Sequence, residues 1–437
     1  MMDKNLCALN PPRGWNSWDC YGAAVTEEIL KKNADYMARY LKQYGYEYVV
    51  CDIQWYEPEA KSSHYRDFAD LCMDEYGRTV PAENRFPSSA GGAGFRPIAD
   101  YVHNLGLKFG IHIMRGIPRQ AVHANTPVKG TEYTARQIAH PASICAWNTD
   151  MYGLDYTRPG AQEYIDSLFE LYASWEIDFI KIDDICVIYG IVGDESTVHY
   201  GGKEIEMYRR AIDKCGRPIV LSLSPGPAML SEAEHLRKNA NMWRMTNDFW
   251  DDWNALRHMF DRCREWSPYV SEGCFPDCDM LPVGHISIIG EEGGKTGRNS
   301  NFTREEQKTM LSLWSIFRAP LILGCELNDL DEWTKELITN EDVLRLNQDS
   351  RNAREISRSF KHIMWKAEDI EGNIYVALFN VAGWTDSFIL DLRDLGIEGN
   401  YVIHDLWSRK NVGNIKDRVS FTIAAHDVML IKLSCSC

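Results

Sequence analysis

Eight short apolar runs, each set apart from the next by helical or loop sequence, most restrict the folds open to this chain. They are Arg13-Gly-Trp-Asn-Ser-Trp18, residues 46–55, 107–114, 178–186, 218–224 and 241–248, a short run within 269–281, and Pro320-Leu-Ile-Leu323. Strands that alternate with helices predict a parallel sheet with helical crossovers. Eight of them over about 330 residues predict a closed (β/α)8 TIM barrel. The first crossover shows the pattern. Ile29, Ala34, Met37, Tyr40 and Leu41 recur at helical spacing, and Gly45 ends the helix. Residues 117–158 read mostly as loop and are too long for a plain connection, which points to function there.

After Asn347 the texture changes. Residues 363–366, 374–380, 387–391, 401–405, 420–423 and 428–432 are short alternating runs with no helices between them. They predict a C-terminal antiparallel β-sandwich domain. The expected division is a barrel over 1–345 and a sandwich over 346–437.

The length of 437 residues suits a large barrel with a second domain. A net charge of −16 argues against nucleic acid or an anionic membrane as partner, and a neutral substrate is easier to accommodate. The 14 Trp and 21 Tyr supply flat apolar surface that can pack on sugar rings, although most belong to the core. The first twelve residues lack the apolar stretch of a signal peptide, and no segment is long and apolar enough to span a bilayer. The 13 cysteines are scattered and odd in number. Cys274-x3-Cys278 has no matching pair at zinc-site spacing, so free thiols in a reducing cytoplasm are expected. A homo-oligomer is left open.

The chemistry is suggested by charge placed where buried strands stop. Phe179-Ile-Lys-Ile-Asp-Asp184 runs from apolar residues into Lys181, Asp183 and Asp184. Buried charge is costly unless it is paired or used. Catalytic groups of a barrel sit at its C-terminal strand ends. Asp183 is expected to end strand four and Asp248 strand six, which turns both carboxylates to one mouth. Such a pair suits glycoside hydrolysis, with one carboxylate attacking the anomeric carbon while a second carboxyl group protonates the leaving oxygen. Lys181, two residues before Asp183, shares its face and would keep it ionised. Arg244 stands in a similar relation to Asp248. The alternative is a set of structural salt bridges. Asp52, at the end of strand two, could accept bonds from sugar hydroxyls or cap a loop. Trp18 and Trp55 could stack on a pyranose or belong to the core. His112, placed at the end of strand three, could bond a hydroxyl or be structural. Asp277 and Asp279 read better as loop hydrogen bonding than as a metal pair.

These residues resemble glycoside hydrolase family 27, the α-galactosidase and α-N-acetylgalactosaminidase family, over nearly the whole chain. The stretches that match are Gly14-Trp-Asn-Ser-Trp18, Cys51-Asp-Ile-Gln-Trp55, Arg85-Phe-Pro87, Lys181-Ile-Asp183, Trp243-Arg-x3-Asp248, Asp277-Cys-Asp-Met-Leu281 and Asn347-Gln-Asp349. The resemblance implies a retaining mechanism with Asp183 as nucleophile and Asp248 as acid/base. It also implies a sugar pocket lined by Trp18, Asp52, Lys181, Arg244 and Met280, with no metal or cofactor.

Two departures bear on the substrate. Where the family's α-galactosidases carry a second Asp for the sugar 6-hydroxyl, this chain has Ile53. That favours a pentopyranose of galacto configuration, as in β-L-arabinopyranosidases that resemble it. On strand five Ser224 stands where those galactosidases carry Glu, as in α-N-acetylgalactosaminidases. Ile185 and Leu223 occupy the positions of the disulfide beside the nucleophile strand. The expectation is a retaining exo-glycosidase for terminal galacto-configured sugars, α-galactosidase first, with β-L-arabinopyranosidase and α-N-acetylgalactosaminidase as alternatives. A non-catalytic carbohydrate-binding protein and a Lys181 Schiff-base aldolase are the rivals from other classes.

Overall fold

The computed structural model describes residues 3–188, 198–289 and 296–435. Eight parallel strands form the central sheet: β1 (Arg13–Asn16), β2 (Tyr48–Cys51), β3 (Lys108–Met114), β4 (Phe179–Asp183), β5 (Val220–Leu223), β6 (Met242–Arg244), β7 (Phe275–Asp277) and β8 (Leu321–Leu323). They lie in the order β7-β6-β5-β4-β3-β2-β1-β8. Just past β7, Leu281 makes a parallel bridge to Leu323 of β8. The Leu281 N–H donates to the Ile322 carbonyl at 2.8 Å, and Leu281 accepts from Gly324 N–H at 3.1 Å. That bridge curls the sheet into the expected barrel.

The strands form because their side chains are buried on both faces, as in parallel sheets covered by helices. Val49, Ile111, Ile180, Ile182 and Leu221 are all within the barrel core. The first crossover helix, Glu27–Tyr36, is capped by Thr26, whose side chain accepts from Ile29 N–H. It continues through tighter and looser turns to Gly45, whose positive φ of 83° closes it. The helix Arg304–Phe317 begins with a reciprocal Thr303–Glu306 capping box.

The strand-end expectations shift by a few residues. His112 lies inside β3 rather than at its end. Asp248 lies four residues beyond β6, in a loop. β3 runs on past His112 because Ile113 and Met114 still pair with Ile182 and Asp183, whereas β6 stops at Arg244 and the chain leaves the sheet before Asp248. The stretch 117–158 is more ordered than a loop: Ile117–Pro118, Ala139–Ile144 and Met151–Leu154 form a small antiparallel sheet, with short helices at Arg119–Ala124 and Ala135–Ile138.

The C-terminal part is an antiparallel sandwich. One sheet has six strands, of which Arg351–Arg358 and Lys410–Ile415 have no counterpart among the expected runs. Both are largely exposed, so they lack the alternation that marks a half-buried strand. Asp386–Asp391 and Arg418–Ile423 pair as the second sheet. Between the sheets Met364, Val376, Leu378, Phe388, Leu390 and Ile431 make a separate core. The other face of the large sheet packs on barrel helices. Phe379 meets Phe260 edge-on at 4.9 Å, and Trp365 meets Phe317 at 6.3 Å. Each such buried side chain contributes about 1.5–3 kcal/mol of apolar burial. The helix Glu341–Asp349 runs across the division expected at residue 345.

Candidate active site

A cavity of about 450 Å³ opens at the C-terminal mouth of the barrel, within the range of small-molecule sites. Of the residues singled out from sequence, Trp18, Asp52, His112, Lys181, Asp183, Arg244, Asp248 and Met280 line it. The strands bring them together. β3 and β4 pair with His112 opposite Lys181 and Met114 opposite Asp183. The end of β4 is pinned on both sides. Arg115 N–H donates to the Asp183 carbonyl, and the Ser224 carbonyl accepts from Ile185 and Cys186 N–H.

His112 bridges two carboxylates. Its Nδ1 stands 2.7 Å from Asp52 Oδ1 and its Nε2 2.9 Å from Asp183 Oδ2, as close ion pairs whose N–H directions lie off the ideal hydrogen-bond line. Lys181 Nζ is 3.7 Å from Asp52 Oδ2, and Asn16 Nδ2 donates to the same oxygen at 2.8 Å. Burial pushes the Asp183 carboxyl up. The close contact with the His112 ring, then Lys181 and the Asp184 N–H, outweigh burial and hold it below the usual carboxylate range. Asp52 is likewise held well below that range, as His112, Lys181 and Asn16 overcome its burial. For His112 burial favours the neutral ring, but Asp52 and Asp183 win over burial and Lys181 and raise its pKa. Asp183 therefore has the ionised form a nucleophile needs.

On the opposite wall Arg244 holds two carboxylates through Nη2: Asp279 at 2.7 Å and Asp248 at 3.1 Å. The Asp248 side chain is 76% exposed at the cavity mouth. Its loop is clamped just downstream. The Arg298 guanidinium grips Asp251 with two bonds of 2.5 and 2.9 Å, and Asp252 caps the helix Trp253–Trp266. Asp279 accepts Phe249 N–H at 2.8 Å, and Asp277 accepts Asp279 N–H at 2.9 Å. Both thus accept loop N–H groups as expected, but Asp277 ends β7, and Asp279 also lines the cavity and pairs with Arg244. Burial, opposed by Arg244 and reinforced by Asp248, pushes the Asp279 carboxyl up from the usual carboxylate range.

Three sequence candidates are not among the cavity-lining residues. Trp55 is buried; its indole N–H donates to the His112 carbonyl at 2.8 Å, and its ring packs edge-on against Phe95 and Trp175. It positions β3 instead of stacking on a sugar. Ile53 is 1% exposed and packs in the barrel core. Ser224 is buried, and its neighbour Pro225 lines the cavity in its place. Beyond a strand end the chain turns, so period-two alternation no longer says which way a side chain faces.

Sequence reasoning missed Asp19, Ser63, Tyr65, Trp147, Asn247, Phe249 and Trp250, all of which line the cavity. Tyr65 joins two other rings into an aromatic wall, stacked on Trp18 at 5.8 Å and tilted against Trp147 at 5.5 Å. Only loop length hinted at Trp147. The one group of potential metal ligands among the described residues, Asp100, His103 and Glu176, is not part of the cavity lining. Arg96 already pairs with its two carboxylates. Cys274 and Cys278 do not converge: Cys278 lies 3.8 Å from Cys263, and Cys274 contacts Lys4.

A barrel mouth lined by aromatic rings and carboxyl groups suits the cleavage of a sugar, and the comparisons with known proteins place the chain among the glycoside hydrolases. It is 55% identical to a β-L-arabinopyranosidase of glycoside hydrolase family 27 from Geobacillus stearothermophilus, covering 100% of this chain and 98% of that one, with a TM-score of 0.96. The chain belongs to glycoside hydrolase family 27. The family profile described as alpha galactosidase A matches residues 154–349, and that of the alpha galactosidase C-terminal beta sandwich domain matches 359–433. A Bacillus halodurans structure, provisionally assigned as an α-N-acetylgalactosaminidase, is 49% identical over 98% of this chain and 97% of that one, with a TM-score of 0.87. Alpha-galactosidase 2 of Arabidopsis thaliana is 25% identical over 99% of this chain and 92% of its own length.

Proposed function

We propose that the protein is a retaining exo-glycosidase for terminal galacto-configured sugars and that it prefers β-L-arabinopyranosides. One observation carries the preference. Strand β2 hands the cavity a single carboxylate, Asp52, and the next side chain is the apolar, core-packed Ile53. A galactose 6-hydroxyl would find no acceptor there. Gln54, the next polar residue, is buried and is not among the cavity-lining residues; its side-chain N–H donates to Asp150 at 2.6 Å, which holds it there. A pentopyranose has no such hydroxyl to leave unpaired. The 55% identity to a β-L-arabinopyranosidase supports the same order. α-Galactosides remain substrates in this reading, as the profile matches support.

In the proposed reaction Asp183 attacks the anomeric carbon while Asp248 gives its proton to the leaving oxygen. A covalent glycosyl ester forms as the glycosidic bond breaks. Asp248, now ionised, takes a proton from water, whose oxygen attacks the same carbon and frees Asp183. The net result is hydrolysis with retention. Lys181 and His112 keep Asp183 ionised, and Arg244 orients Asp248.

The test is a panel of nitrophenyl glycosides: β-L-arabinopyranoside, α-galactoside and α-N-acetylgalactosaminide. The expected order of kcat/KM follows that sequence. A clear lead for the α-galactoside would overturn the preference, and no turnover of any of the three would overturn the function.

A further inference from the structure

Asp19 lines the cavity beside Trp18, yet it has no assigned duty. Its residue surface is only 3% exposed. No hydrogen bond or ion pair reaches its carboxyl among the described residues, and its buried Oδ2 is left without a partner. Gly324 makes the room: a Cβ there would come within 2.0 Å of that oxygen. Oδ2 is packed away against Gly324, so the other oxygen is the one the cavity can reach, and a buried carboxyl group with neither oxygen paired is costly as a charge.

The charges around it indicate its form. The cavity is lined by five carboxyl groups (Asp19, Asp52, Asp183, Asp248 and Asp279) and three cationic groups (His112, Lys181 and Arg244). His112 stands against Asp52 and Asp183, Lys181 against Asp52, and Arg244 against Asp279 and Asp248. Asp19 is the carboxyl left over. A proton on Asp248, which the acid step requires, and a second on Asp19 bring the lining to neutrality.

We propose that Asp19 is a further substrate-binding residue, a neutral carboxyl group at the cavity wall that donates its O–H to a hydroxyl of the bound sugar. The proposal rests on the carbohydrate substrate argued above and adds to it a donor that no strand-end motif supplies. Burial, reinforced by the nearby Asp279, Asp52 and Asp248 and opposed by Lys181, favours the protonated form. A neutral carboxyl and a carboxamide have the same shape, and both donate. A carboxylate only accepts.

That equivalence supplies the test. Asp19→Asn and Asp19→Leu are compared with wild type by calorimetric binding of free L-arabinose and by kinetics on nitrophenyl β-L-arabinopyranoside. Asp19→Asn is expected to lose no more than about threefold in affinity, and Asp19→Leu about tenfold to a hundredfold, with KM rising more than kcat falls. If Asp19→Leu does not fold, infrared spectroscopy decides. The wild-type minus Asp19→Asn difference spectrum at neutral pH should show a protonated carboxyl C=O band that moves when arabinose binds. Equal damage from Asn and Leu, full affinity in Leu, or no protonated carboxyl band would each overturn the proposal. Sugar binding and the infrared band can be read even if no glycoside is hydrolysed, so failure of the functional reading stays distinguishable.

Discussion

The Nε2 of His112 stands 2.9 Å from Oδ2 of Asp183, while its other ring nitrogen faces Asp52 at 2.7 Å. A ring held between two carboxylates is stable there as the cation, because each nitrogen then presents a donor. The proposed nucleophile thus has a cation fixed against it by β3, the strand that lies between β4, which ends in Asp183, and β2, which leads to Asp52.

That geometry gives a pH signature. Although burial favours neutral His112, Asp52 and Asp183 raise its folded pKa above its ordinary value. The stability it contributes is therefore fully present below about pH 6.5 and is lost as pH rises through the folded value. Asp183 and Asp52 are lowered, so theirs is present above about pH 4 and is lost as pH falls through their folded values. Melting of wild type and His112→Gln should differ most between these limits and converge at alkaline pH. A constant difference from pH 5 to 9 would mean the ring is neutral.

The two carboxyl groups should separate by leaving group. Asp183→Asn is expected to be inactive on every glycoside. Asp248→Asn should lose about a hundredfold to ten-thousandfold on alkyl glycosides but far less on aryl ones, whose leaving oxygen needs little protonation. Azide should restore turnover in the Asp248 variant. Proton NMR of the first-formed sugar should show the anomer of the substrate; the opposite anomer would rule out retention.

Ile53→Asp would put a second carboxylate next to Asp52. If a sugar hydroxyl can reach it, the ratio of galactoside to arabinopyranoside kcat/KM should rise about tenfold or more. Melting curves must accompany the ratio, because the site is in the core and an unpaired charge there destabilises. A folded variant with an unchanged ratio would remove Ile53 from the specificity argument.

The Arg298–Asp251 clamp should matter twice. Arg298→Leu leaves a buried carboxylate without its guanidinium, an expected loss of about 3–5 kcal/mol in urea unfolding. It also frees the loop that carries Asp248, so kcat should fall more than KM rises. A stability loss with unchanged kcat would confine the clamp to folding.

Several site residues were legible from the sequence for a simple reason. Lys181 and Asp183 end a buried run, and Asp52 follows another; in a barrel such positions open on one mouth. Trp55, Ile53 and Ser224 looked equivalent to them. The chain turns after each strand, however, and packing on Phe95 and Trp175, or within the core, took Trp55 and Ile53 out of the cavity lining. Tyr65 and Trp147 could not be found by pattern, because they sit in long connections without periodicity and reach the mouth only when those segments fold over it.

The alternation of strand and helix, the change to a sandwich and the charges at the strand ends are properties of the sequence alone, since burial with period two or 3.6 acts on neighbouring residues. Which of those charges share a cavity was settled only in three dimensions. Closure of the barrel between Leu281 and Leu323, the meeting of His112 with Asp52 and Asp183, and the isolation of Asp19 against Gly324 join residues far apart in the chain. Close packing selects such contacts from the whole molecule at once, and no local pattern encodes them.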